Sequence, residues 1–77
     1  MLRYRDGVRH ANEMIDRQLE RRPKREVMEW AEGCHERHDA LQYEKLMDLK
    51  NPHLSDFDRG QAMAYGMFHH TGCKLKG

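Results

Sequence analysis

The stretch Pro23 to Leu49, PKREVMEWAEGCHERHDALQYEKLMDL, constrains this chain more than any other feature, because it is the longest run whose apolar residues keep a helical beat. Val27, Trp30, Ala31, Cys34, His38, Leu41, Lys45, Leu46 and Leu49 trace one face of an α-helix. Glu29, Glu32, Glu36, Asp39 and Asp48 fall on the other. Pro23 suits a first helical turn, where its missing N–H costs nothing, and Glu26 sits near the positive helix end. Asn51-Pro52 cannot continue the helix. The spacing therefore predicts a helix over 23–49, roughly 40 Å long at ~1.5 Å per residue, and the remaining elements are expected to pack on it. Gly33 lies in its middle, where glycine costs about 1 kcal/mol relative to alanine. The apolar spacing passes through Gly33 without a change of phase, so one continuous helix is expected.

Two shorter helices flank it. Asp6 is placed to cap the first, predicted over 6–21, with Val8, Ala11, Ile15 and Leu19 as its apolar stripe and Met14 at the edge. Residues 1–5 are expected to be extended. After a connection at 50–54, Ser55 is placed as the cap of a third helix over 56–71, with Asp58 in reach to complete a capping box. Phe57, Gln61, Ala64 and Phe68 share one line of that helix, flanked by Met63, Tyr65 and Met67, and Gly72 is its expected C-cap. Gly60 and Ala64, one turn apart, offer a place for a close neighbour, and the tail CKLKG is expected to fray. No segment alternates with period two, so the fold class is all-α: a small three-helix bundle, or a helical hairpin with a third helix packed on a long central one.

Seventy-seven residues make a single small domain, 1–77. Leu, Ile, Val and Phe number only twelve, which leaves six methionines, Trp30 and three tyrosines to supply much of the core. Methionine packs adaptably but specifies a core poorly, so either a mobile monomer is expected, or a homodimer or protein partner that completes the core. The net charge of +1 conceals a segregated pattern. Residues 1–25 sum to +4, residues 26–58 to −6 and the rest to +3. The simplest expectation is a basic first helix lying against an acidic second one. The other is a basic patch of Arg17, Arg21, Arg22, Lys24 and Arg25 that meets nucleic acid or an acidic partner. No apolar run approaches the ~18 residues of a membrane span, the N-terminus lacks a secretory signal, and two cysteines cannot form a dense disulfide framework. A cytoplasmic protein without membrane contact is expected.

One set of side chains has metal-ligand spacing. Cys34 and His38 stand four apart on the long helix, and His69 and Cys73 four apart at the end of the third. Two thiolates and two imidazoles would complete a tetrahedral structural zinc site if the third helix folded back antiparallel to bring His69 level with His38. His35-Glu36-Arg37-His38 is one residue too short for the HExxH pattern of zinc proteases. Glu29, Glu32, Glu44 and Asp48 resemble the paired acidic motifs of helical nucleotide pyrophosphohydrolases of the MazG type, in which carboxylates on two helices hold magnesium. Here the last spacing departs from that pattern and all four fall on one predicted helix, which leaves a solvated acidic face. The single serine is occupied as a cap, and no glycine loop could cradle a phosphate. In size, hydrophilicity and the lack of a catalytic set, the chain resembles the small accessory proteins of bacteriophages and mobile elements. That resemblance implies a non-enzymatic protein that binds a host protein and inhibits or redirects it.

Overall fold

The computed structural model describes residues 3–47 and 56–76, with only the helical backbone described for residues 39–47. Its elements are three α-helices, α1 (Tyr4–Leu19), α2 (Lys24–Met47) and α3 (Asp56–Thr71). This is the all-α bundle that the apolar spacing predicts. The 50–54 connection, the Asn51-Pro52 stop and the Ser55 cap lie outside the described residues.

The helix ends follow from local chemistry. α1 begins two residues before the expected start, because Asp6 acts from inside the first turn: its carboxylate accepts the Arg3 N–H at 2.9 Å, while Arg3 occupies the extended cap position. An aspartate three residues into a helix satisfies one orphan donor as well as an aspartate at the cap does, so the residue type alone does not fix the boundary. α1 ends at Leu19, and Arg21 and Arg22 lie in the turn beyond it, both N–H groups donating to the Gln18 carbonyl. α2 passes through Gly33 unbroken, as its apolar phase requires. At the end of α3, Gly72 takes φ +72° and donates its N–H to the Phe68 carbonyl at 2.8 Å, a left-handed cap that suits glycine.

The helix that organises the bundle is α3, which packs on both α1 and α2, whereas those two touch each other far less. Gly60 beside Tyr4 and Val8 at one end, and Asn12 bonded to the Leu75 carbonyl at the other, show α1 and α3 running parallel. Against α2, α3 runs antiparallel, with Ala62 at His35, His69 at Glu32 and Gly72 at Met28. The expectation that the basic first helix lies against the acidic second one is therefore corrected: a third helix, whose charged residues Asp56, Asp58 and Arg59 all fall at its start, separates most of their length. Val8, Ala11 and Ile15 of α1, Val27, Ala31 and Cys34 of α2, and Ala64, Tyr65 and Phe68 of α3 form one core. Leu19, Met28, Trp30 and Leu75 pack on its margin. The tail does not fray as expected, since Leu75 is half-buried, its carbonyl accepts from Asn12 at 2.8 Å, and Lys74 reaches Asp16 at 2.7 Å.

The α1–α3 contact is a backbone contact. A Cβ at Gly60 would collide with the Tyr4 carbonyl oxygen and come within 3.1 Å of the Gly7 Cα, and one at Gly7 would collide with the Phe57 carbonyl. Glycine faces glycine, and nothing flexible lies between them. Gly60 and Ala64 thus do what their spacing suggests, and the shortage of large aliphatic residues is met partly by bringing the helix axes close together.

Candidate interaction groove

Because α3 is sandwiched, it buries two faces and leaves one. Gly60, Gln61, Ala64 and Phe68 turn inward with α1, and Ala62, Tyr65 and Gly66 face α2. The outward line holds Arg59, Met63, Met67 and His70, all exposed. Among the described residues, Met63 at 51% and Met67 at 37% are, with Tyr4, the large hydrophobic side chains most open to solvent. From residue type and spacing, Met63, Tyr65, Met67 and Phe68 read as an exposed binding surface or, more commonly for such a group, as core; Tyr65 and Phe68 are core, and the two methionines are exposed.

The methionines border a cleft of about 360 Å³ between α3 and α2, closed by His35, Gly66 and His70. Its floor is shaped by a specific contact: the His35 Nδ1–H donates to the Ala62 carbonyl at 2.8 Å, which lays the ring over Gly66. A Cβ at Gly66 would stand 2.9 Å from that nitrogen, so the glycine makes room for the ring. Farther along the same pair of helices lies a second cleft of about 380 Å³, lined by Lys24, Arg25, Met28, Glu29 and His69. The clefts follow one another along the α2–α3 seam, His69 lining one and His70 the other, with their rings 4.9 Å apart and His69 3.9 Å from the Glu32 carboxylate. Together they make a groove from Lys24 to His35, roughly 16 Å long at ~1.5 Å per residue.

At its cationic end the groove joins the basic segment expected from the sequence. Arg17, Arg21, Arg22, Lys24 and Arg25 are all exposed at the α1–α2 end of the bundle, and Lys74 of the tail is brought near it by its ion pair with Asp16. Lys74 could not be assigned there from sequence, because its partner Asp16 lies most of the chain away.

The proposed zinc ligands do not converge. Cys34 is buried in the core, His38 stacks on Tyr65 with ring centroids 5.7 Å apart, His69 sits at Glu32, and Cys73 is exposed beyond the Gly72 cap. The helices do run antiparallel, but His69 lies level with Glu32 where the site requires it level with His38. That is a shift of about six residues, roughly 9 Å at ~1.5 Å per residue. Among the described residues no three His, Cys, Asp or Glu side chains gather as metal ligands. Of the four acidic residues on the long helix, Glu29 and Glu32 are exposed on α2, and the side chains of Glu44 and Asp48 lie outside the described residues.

Burial acts on two groups at the far side of the core. It pushes the Tyr65 hydroxyl up to about 12, with Cys34 adding to the effect, and Trp30 meets the Tyr65 ring edge-on at 5.6 Å. It holds the His38 pKa below its ordinary value, against the raising effect of Asp58; the His38 Nδ1 is buried without a hydrogen-bond partner among the described residues. Neither group faces the groove. Comparison with protein-family models, curated proteins and solved structures finds no match for this chain. No helix among the described residues is long and apolar enough to cross a membrane.

Proposed function

We propose that this protein is a non-enzymatic helical interaction module that binds and modulates a protein partner through the groove between α2 and α3. The observation that carries the reading is the exposure of Met63 and Met67, one turn apart, on the lip of a cleft of about 360 Å³. Single exposed hydrophobics are ordinary on protein surfaces, whereas adjacent ones beside a concavity mark a contact site. Methionine is suited to that role because its unbranched, polarisable side chain adapts to an incoming apolar surface. The two free cysteines, Cys34 and Cys73, fit a reducing compartment such as the cytoplasm.

The test is affinity capture with the wild type and with Met63→Ser/Met67→Ser, followed by titration calorimetry on the purified partner. A partner held by the wild type and released by the double variant, with circular dichroism unchanged, supports the reading. Equal affinity for both would remove the groove as the contact site.

A further inference from the structure

The groove is asymmetric in charge, and this specifies its occupant. At the Met63 and Met67 end, the lining is methionine, glycine and histidine. At the other end, Lys24 and Arg25 flank Met28, with Arg21 and Arg22 in the adjoining turn. The α2 N-terminus adds its own positive dipole at this end. One turn on from Arg25, Glu29 lines the α2 wall of the cationic cleft, and beyond it the exposed Glu32 carboxylate stands beside His69. A uniformly anionic ligand would therefore be attracted at one end and repelled in the middle.

Resting on the groove reading above, we infer that the occupant is an amphipathic helical segment of another protein, with an apolar stripe over Met28, Met63 and Met67 and carboxylates clustered at the end that meets Lys24 and Arg25. A groove of roughly 16 Å accommodates about three turns of helix at ~5.4 Å each, enough for anchors at i, i+4 and i+7 or i+8. Arg25 can engage a carboxylate through two parallel hydrogen bonds, while Lys24 contributes a point charge. Nucleic acid fits less well: the interior carboxylates oppose a continuous phosphate backbone, and the pole presents no aromatic platform for bases.

Three fluorescent 14-residue peptides with the same leucine stripe test this, carrying Glu, Gln or Lys at the same three terminal positions. The wild type is expected to bind the Glu peptide at least tenfold more tightly than the Gln peptide, and to reject the Lys peptide. Lys24→Glu/Arg25→Glu should reverse the order, and Met63→Ser/Met67→Ser should weaken Glu and Gln peptides alike. Both substitutions alter exposed residues, and helicity is checked for each. If the Glu and Gln peptides bind equally and the methionine variant weakens both, the acidic specificity is wrong and the groove reading survives. If Glu preference persists in the methionine variant with unchanged affinity, the carboxylates bind the pole without the groove, and both readings fall. A twenty-nucleotide thymidine strand that displaces the Glu peptide at lower concentration than the peptide itself would overturn the proposal in favour of nucleic acid.

Discussion

Substituting Gly60 with alanine sets two effects against each other in one helix. Alanine is the better helix former, which favours the variant by about 1 kcal/mol. The new methyl group, however, meets the Tyr4 carbonyl and the Gly7 backbone, so α1 and α3 must separate before it fits. Val8, Ala11 and Ile15 then lose contact with Ala64 and Phe68 together. Overpacking a rigid contact costs about 1–3 kcal/mol and occasionally more. A backbone neighbour cannot turn aside, so the upper end applies and the net loss is about 2 kcal/mol. For a domain of this length, that lowers the melting temperature by roughly 8–16 °C.

Gly33→Ala is the internal control. It lies in α2 with nothing within 4 Å of the new Cβ, so only the propensity term remains. That variant should gain about 1 kcal/mol and roughly 4–8 °C. Both are read by urea titration followed by circular dichroism, with thermal melts at two protein concentrations to separate folding from association. If Gly60→Ala proves as stable as Gly33→Ala, the glycine-to-glycine approach of α1 and α3 is refuted.

Three further outcomes follow from other parts of the bundle. Phe68→Ala removes the largest fully buried side chain among the described residues and should cost about 3–5 kcal/mol, a large share of the ~4–12 kcal/mol typical of a chain this length, visible as loss of cooperative unfolding. Because burial lowers the His38 pKa, the unfolded chain binds its proton first; stability is then complete above pH ~6.5 and falls as the pH drops below that value, which urea midpoints from pH 8 to 5 should show. His38→Phe, which keeps a ring against Tyr65, should remove part of that slope. Ending the chain at Cys73 deletes the half-buried Leu75 and the acceptor of Asn12; a loss of about 1–3 kcal/mol is expected in thermal melts.

What could be read from the sequence was whatever one helix decides for itself. Val8, Ala11 and Ile15, or Val27, Ala31 and Cys34, reveal their buried face by periodicity, and Gly72 reveals its cap by residue type. What could not be read was the relation between helices. The four zinc-spaced residues are kept apart by axial register and by the Gly72 cap that ends α3 before Cys73: Cys34 and His38 do share a turn-to-turn line, but spacing within a helix carries no information on where its neighbour is level with it. Asp6 fixed the first turn while leaving the cap ambiguous by three positions, between Arg3 and Asp6. The charge pattern was visible, but pairing the basic segment with the acidic one assumed that neighbours in sequence are the closest neighbours in space.

The same limit explains why Met63 and Met67 look like core in the sequence. On a helix covered from one side, a line of apolar residues flanked by more apolar residues simply widens the buried face. α3 is covered from two sides, and small residues do much of the covering: Gly60 and Ala64 admit α1, while Gly66 admits the His35 ring. With both faces drawn in so closely, the outward line is narrow, and Arg59 and His70 show that it accepts polar residues. Two methionines on that line contribute little to folding that lysine or glutamate would not, since all are good helix formers. Their exposed surface is a cost without a folding return unless something covers it. The fold and the proposed groove therefore depend on the same choice of small residues in α3, which pull the helices together and leave the methionines outside.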